Sequence, residues 1–529
     1  MDASRLNLLD ESLIRVRDTD GRLRSLSLPE LFVALGHDTV RDYPALRPHQ
    51  RHPWHALLVQ LAALALHQVG ESHPWDSPAE WRRALLALSP DHPDGAAYCL
   101  ISPHDQPAFL QAPVPGGSID DWKKSIATPD ALDMLITSKN HDLKGERMKT
   151  AEADDWLFAL TSLQTQEGFL GAGNYGVSRM NGGSSSRPAV GIAPTGNVGR
   201  RWRRDVAALL DAREDLIDLY GMSEHAGLAL LWLPPWDGAG SLAFSALDPF
   251  YIEVCRRIRL TLDADGNLIA FGTGTKVARV RATDCKGGVT GDAWVPVEED
   301  KALTIGSEGF NYTLSSELAW GTKYRKTIAQ AIRDEDGQKG VTLLTQGVVR
   351  GKGITGGYHE RRIPLSPKAV GFLRRGQTDL PAQIASQRVK DIGTMRGSIL
   401  RTALFFLLEA GTDKLDVDRR TAKQQIEPFV KAFEHAEDAR FFDDFNIELD
   451  ADTETERNAE RLRWLIALAE RAETVLRSAF VIGPQCGERR YRARARALSY
   501  FHGALHSGKH LPQLAQHLRS YSVTEEITS

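Results

Sequence analysis

The chain of 529 residues is long enough for two to four domains, and its 42% apolar and 25% charged residues describe a soluble globular protein and exclude a disordered carrier. A net charge of −4 is close to neutral for this length, so a nucleic-acid partner must be met by local patches and not by the overall field. Cys99, Cys255, Cys285 and Cys486 lie far apart with no CxxC pair, which excludes a zinc knuckle and fits reduced thiols; neither a structural metal nor a cofactor is expected.

In chain order, the opening MDASRLNLLDESLIRV lacks the basic-then-apolar pattern of a signal peptide, and no later apolar run reaches membrane-spanning length, so a cytoplasmic location is expected. Strand-like runs then fall at Ser12–Val16, Leu228–Leu233, Arg257–Leu262, Leu268–Phe271, Lys276–Arg281 and Val341–Val349, between helices and Gly/Pro breaks. The clearest helices are His55–Val69, apolar almost all round and therefore buried, Pro78–Leu88 and Asp154–Gln166. ADGN, Ala264–Asn267, reads as a hairpin turn. Beyond Leu380 only helical spacing remains, at Pro381–Glu409, Arg419–Ala436, Thr453–Phe480 and Glu488–His506, with Asp438–Asp452 read as a link and Pro428 expected to kink or break the second helix. The fold class is α+β: a large irregular mixed N-terminal domain, 1–375, followed by a C-terminal four-helix bundle, 376–529.

The segment Gly168–Gly196 is rich in glycine, serine, asparagine and arginine and is read as one long loop. Gly171, Gly173, Gly176, Gly182 and Gly183 allow backbone N–H groups to approach a flat or anionic partner, and Arg179 and Arg187 add charge. GAGNYG within it spells GxGxxG, yet a helix precedes it and more loop follows, so the dinucleotide-binding context of strand, turn and helix is missing. Immediately after it, GRRWRRD sets Arg200, Arg201, Arg203 and Arg204 around Trp202, charge interleaved with an aromatic ring as a phosphate backbone or unstacked base requires; arginines capping acidic neighbours at a helix start explain the same pattern. The last bundle helix carries Arg489, Arg490, Arg492, Arg494 and Arg496 against Glu488 alone, a one-sign block that asks for an anionic partner or internal counter-charge.

Histidines raise an enzymatic alternative, a metal-dependent HD-type phosphohydrolase or nuclease. His37-Asp38, His104-Asp105 and His141-Asp142 are HD pairs, while His49, His52 and His55, and His502, His506 and His510, recur closely. Each lacks the further ligands a metal site needs, so core or surface histidines are the simpler reading.

Taken in order, several segments resemble CasA, the large subunit of the type I-E CRISPR surveillance complex Cascade. NLLDESLIRV (Asn7–Val16) is similar to that family's opening, and GxxxxxSLPELF (Gly21–Phe32) follows it. PAFLQ (Pro107–Gln111), the asparagine-containing SKNHDL (Ser138–Leu143), the glycine segment Gly168–Gly176 and GGYHERRIPL (Gly356–Leu365) then appear in the family's order, so the resemblance spans essentially the whole chain.

The resemblance implies a non-enzymatic subunit that recognises the protospacer-adjacent motif (PAM) in double-stranded DNA from the minor groove, starts duplex opening for crRNA pairing, and helps recruit the helicase-nuclease. The implied partners are target DNA, the crRNA-bearing Cascade subunits (backbone, 5′-handle-binding and small subunits) and the helicase-nuclease, with no membrane. It assigns motif reading to Lys139, Asn140, His141, Gly171, Gly173 and Asn174, with Tyr175 as a stacker. A minor-groove lysine on the WVPVEEDKALTI hairpin falls to Lys301, because Glu298 and Glu299 stand where basic residues are expected. The wedge falls to Gly357, Tyr358, His359 or Arg361, or lies elsewhere, since His359 alone joins Tyr358 to Glu360. The cysteine cluster of some members is absent.

Overall fold

The computed structural model describes residues 5–133, 135, 148, 150–167, 172–178, 188–336, 340–350, 354–409 and 420–528, excepting the side chains of 350 and 521–528. The chain divides into two compact units, Met1–Phe310 with Thr322–Ile363, and Asn311–Gly321 with Pro364–Ser529.

The first unit is built around the helix Arg51–Gln68, whose residues Leu57–Leu66 are all buried. A helix apolar on every side must be surrounded, and Pro78–Ala87, Ala153–Gln166 and Val198–Asp211 pack against it. Its one inward amide, Gln60, donates to the Tyr251 carbonyl at 2.9 Å, which satisfies a polar group that would otherwise be costly there. Phe32 stacks on Trp202 with centroids 5.5 Å apart, and Trp54 meets Phe158 edge-on at 5.0 Å. The helix Leu28–Gly36 that supplies Phe32 starts at a capping box: Glu30 N–H donates to Ser27 Oγ and Ser27 N–H donates to Glu30 Oε2.

Small sheets surround this core. Ile14–Asp18 lies between Leu23–Leu26 and Val40–Asp42, Leu268–Thr273 between Lys124–Ile126 and Arg257–Leu262, and Val341–Arg350 between Thr355–Leu365 and Ala189–Pro194. The ADGN turn joins Arg257–Leu262 to Leu268–Thr273 as expected, with Gly266 at φ +81° and Asp263 Oδ1 accepting from Asp265 and Asn267 N–H.

Three expectations are corrected. Ala189–Pro194, read as loop, is a strand paired with Val341–Gln346, and Gly191 lets it pack closely there, since a Cβ would lie 3.0 Å from the Ala329 methyl. Lys276–Arg281, read as a strand, is irregular apart from a bridge between Leu242 and Val280, because the N–H groups of Lys276 and Val277 converge on the single Gly238 carbonyl instead of following a strand's alternating ladder; the side chain of buried Arg279 donates to the carbonyls of Leu231, Pro234 and Pro235. Asp438–Asp452, read as a link, is almost entirely the end of a helix running Arg420–Asp450, which Pro428 does not break.

In the second unit, Asp379–Thr394 continues through a π-turn, Met395–Leu400, into Arg401–Leu408, and Glu454–Ser478, Gly487–His506 and Pro512–Thr528 follow the long helix. Thr453 and Glu456 form the capping box that starts Glu454–Ser478. The buried pair Arg388–Glu448, 2.8 Å apart, is roofed by Trp464, whose ring lies 4.3 Å from the guanidinium. A helix from mid-chain, Tyr312–Trp320, belongs to this unit: Tyr312 stacks on Phe441 at 5.0 Å and Trp320 packs on Phe445 at 5.8 Å. Among the described residues no helix is long and apolar enough to cross a membrane.

Candidate nucleic-acid interface

The glycine segment leaves the helix Ala153–Gln166, which is tied at its start by Arg15 gripping Asp154 and Asp155. Near its end Gln164 is a four-way clamp. Its amide donates to the carbonyls of Leu110 and Arg256, and its Oε1 accepts the N–H groups of Cys255 and Arg256, all at 2.8–3.0 Å. Residues 172–178 return beside this clamp. Thr275 N–H donates to the Gly173 carbonyl at 2.8 Å, Tyr175 N–H donates to Thr275 Oγ1 at 3.0 Å, and Ser178 Oγ donates to the Thr165 carbonyl at 2.6 Å. Gly173 has φ +80°, and a Cβ on Gly176 would sit 2.7 Å from Arg256 Nη1, so both positions need glycine. Tyr175 packs against the core instead of standing free. Lys139, Asn140, His141, Gly171, Arg179 and Arg187 lie outside the described residues.

GRRWRRD forms the first turns of Val198–Asp211, and its side chains divide sharply. Asp38, at φ +56°, caps the helix by accepting from the N–H groups of Asn197 and Arg200. Trp202 is interior, donating to the Leu58 carbonyl. Arg204 is 3% exposed and bridges Asp205 at 3.0 Å and Asp336 at 3.1 Å while donating to the Ala329 and Ala331 carbonyls. Arg201 is largely covered, 3.6 Å from Asp205, and burial lowers its guanidinium from the usual arginine range, with Asp205 opposing and Arg204 and Arg362 reinforcing. Arg203 is exposed, and Arg200 half-buried beside the Thr195 carbonyl.

Val297–Glu298 pairs with Lys301–Ala302 as a two-residue hairpin, with Glu299 at φ +51° in the turn. Lys301 is exposed at its foot, and Glu298 reaches Lys323 at 3.5 Å. Gly357, Tyr358, His359 and Arg361 all lie on the strand Thr355–Leu365. The Tyr358 hydroxyl donates to Glu360 Oε2 at 2.6 Å and accepts from Gln346, and burial together with Glu360 raises its pKa. His359 covers Gly309, where a side chain would collide with the ring, and Arg361 donates to the Phe310 carbonyl.

In the second unit the arginine helix supplies much of its own compensation. Arg490, Arg494 and Arg496 lie over the rings of Tyr491, Phe480 and Phe406 at 4.9–5.0 Å, Arg492 pairs with Glu488, and Arg489 is exposed.

The histidines have other employments. His37 meets Asp76 at 3.3 Å while Asp38 caps a helix, His49 bonds Asp133, and His55 bonds Asp205. No group of three or more metal-ligating side chains occurs among the described residues, and His141-Asp142 lies outside them.

An α+β unit followed by long helices, with mid-chain helix Tyr312–Trp320 packed among them, defines the class: the fold is that of the CasA/Cse1 proteins. A crystal structure of Thermus thermophilus CasA is similar with a TM-score of 0.61 at 16% identity, over 94% of this chain and 99% of that one. Cse1 from Acidimicrobium ferrooxidans, described as CRISPR-associated, gives 0.62 at 15% identity over 96% and 98%, and Thermobifida fusca Cse1 gives 0.58 at 13% over 97% and 99%. No family model and no curated protein sequence matches the chain.

Proposed function

We propose that this chain is the large subunit of a type I-E CRISPR Cascade complex, acting without catalysis. The observation that carries this is the reach of the structural likeness: both units align, over 94–97% of this chain and 98–99% of the CasA and Cse1 structures. In this reading the glycine segment, held by Thr275 and the Thr165 carbonyl, presents backbone and small side chains to the minor groove. The donor and acceptor pattern there is degenerate, so several motifs are tolerated. Asn140 with Lys139 and His141 completes motif reading, and Lys301 and the Thr355–Leu365 strand supply groove and wedge contacts. Opening the first base step costs on the order of 1–2 kcal/mol of stacking, which phosphate contacts offset before the guide pairs. The partners are motif-bearing duplex DNA, crRNA-bearing backbone, 5′-handle-binding and small subunits, and the helicase-nuclease.

The test is assembly. The chain is expected to co-purify in a fixed ratio with crRNA-bearing Cascade subunits co-expressed with it; a chain that stays monomeric in their presence contradicts the reading.

A further inference from the structure

The first unit contains a cavity of 660 Å³ that Gly173, Asn174 and Tyr175, the motif-reading residues among the described ones, do not line. Its charge is one-sided: Arg17, Arg41, Arg51, Arg201 and Arg362 face it, and Asp42 is the sole carboxylate among the described residues of its wall. They come from three strands or strand ends and two helices of one compact unit, so the fold and not a local sequence run assembles them. Asp42 serves both Arg17 at 3.6 Å and Arg41 at 3.2 Å, Arg362 leans on Glu360, and exposed Arg51 pairs with no carboxylate among the described residues. Arg201 in turn lies 3.6 Å from Asp205, which Arg204 shares, so the carboxylates beside the five guanidinium groups are fewer than the charges they meet and the space keeps an excess of positive charge that favours an anion.

The remaining wall is not that of a bare phosphate site. Tyr43, Pro44, Trp54, Pro194 and Val198 line an apolar side suited to a flat ring. Four lining groups hold buried atoms without a hydrogen-bond partner: the donors Arg17 Nε, Trp54 Nε1 and Arg201 Nε, and the acceptor Gln346 Oε1. Buried unpaired groups are costly and mark a place where a ligand can supply the missing partners. A ligand that satisfies all three features carries an anion, a planar ring and both a donor and an acceptor on that ring.

We propose that this cavity is a nucleotide site: phosphate on the arginines at its mouth, base against the Tyr43 and Pro194 side with its polar edge toward Arg201 and Gln346. The nucleotide comes either from a strand, as a single base turned out of the stack, or from solution as a mononucleotide. The proposal goes beyond DNA-motif reading and does not rest on it, because the purified chain carries the whole cavity.

Isothermal titration of the purified full-length chain tests it, using AMP, GMP, CMP and UMP, ribose 5-phosphate, inorganic phosphate and a short single-stranded oligonucleotide. At least one nucleotide or the oligonucleotide is expected to saturate one site per chain, with ribose 5-phosphate and phosphate weaker by about tenfold or more. Arg41→Ala and Arg51→Ala, both at exposed positions, should each weaken that binding about tenfold, the loss of one charge-assisted contact, with melting temperature unchanged. Saturation by the oligonucleotide alone identifies a strand as the source, and saturation by a mononucleotide identifies the free ligand. Absence of saturation by every mononucleotide and by the oligonucleotide at millimolar concentration, equal affinity for inorganic phosphate, or binding indifferent to both arginine variants overturns the proposal.

Discussion

His55 Nε2 lies 2.8 Å from Asp205 Oδ2, joining the central helix Arg51–Gln68 to Val198–Asp211 inside the first unit. Burial, reinforced by Arg201, lowers the imidazole from 6.5 to about 4, so the histidine is neutral at pH 7. Burial alone would raise Asp205, but the His55 hydrogen bond and the Arg201 and Arg204 charges outweigh it and hold the carboxyl at about 2. His52, its neighbour one turn away, has neither ring nitrogen hydrogen-bonded and is pushed well below its ordinary value in the same way.

Stability should therefore fall on mild acidification. The unfolded chain binds a proton at His55 near pH 6.5, the folded chain only near 4, so the stabilisation is complete above 6.5 and is lost as pH drops through that window. At about 1.4 kcal/mol per unit, His55 alone costs on the order of 3 kcal/mol by pH 4, and His52 adds to it. Urea unfolding at pH 8, 6 and 5 should show the decline, and His55→Gln should flatten it; parallel curves for the two proteins would refute this assignment.

The arginines after the glycine segment should separate into two kinds. Arg204→Ala leaves Asp336 and Asp205 short of a buried partner and is expected to destabilise the chain by about 3–5 kcal/mol in thermal or urea unfolding. Arg200→Glu with Arg203→Glu should leave the fold intact and, where those residues touch phosphate, reduce the salt slope of DNA binding by roughly 0.9 per lost contact on any sequence. An unchanged slope assigns both to intramolecular roles.

Asn140→Ala and Gly173→Val should each weaken binding of motif-bearing duplex by about 1–3 kcal/mol while sparing a pre-opened target. Gly173 has φ +80°, so the valine also strains the loop; Asn174→Ala tests the same surface without that strain. Equal losses on duplex and pre-opened DNA would remove motif reading from these loops.

The helix Tyr312–Trp320 makes a prediction about fragments. A chain cut after Ile363 keeps Tyr312, Leu318 and Trp320, buried in the whole protein, but deletes Phe441 and Phe445 on which the two aromatic rings rest. It should aggregate, and polar substitutions at those three positions should restore a monodisperse species by light scattering. A monodisperse unsubstituted fragment would show that the helix finds other cover.

Periodicity made the α+β class and the long C-terminal helices legible, because amphipathic spacing is local. It also located Arg51–Gln68, where an unbroken apolar run leaves no solvent face. What failed depended on distant partners. AVGIAP looked like loop because its glycine and proline outweigh its valine and isoleucine, yet Val341–Gln346 across the sheet makes it a strand. Asp438–Asp452 looked like a link because of its charges, yet Phe441, Phe442 and Phe445 supply the buried stripe that keeps it helical. Arg204 and Trp202 are indistinguishable by sequence from a phosphate-binding pair; only Asp336 and Phe32 reveal that they face inward. The five cavity arginines carry no local signal at all, being gathered from separate elements.

Motif-dependent duplex binding is the most direct measurement. Surveillance complexes reconstituted with and without this chain are titrated with target duplexes that differ only in the flanking motif, and with the same targets pre-opened at the first base pairs. The account predicts that the chain confers tighter binding on motif-bearing duplex, that Asn140→Ala removes this preference, and that pre-opened targets bind alike with either protein. Duplex binding that is indifferent to the flanking motif, or unaffected by leaving the chain out, would contradict it.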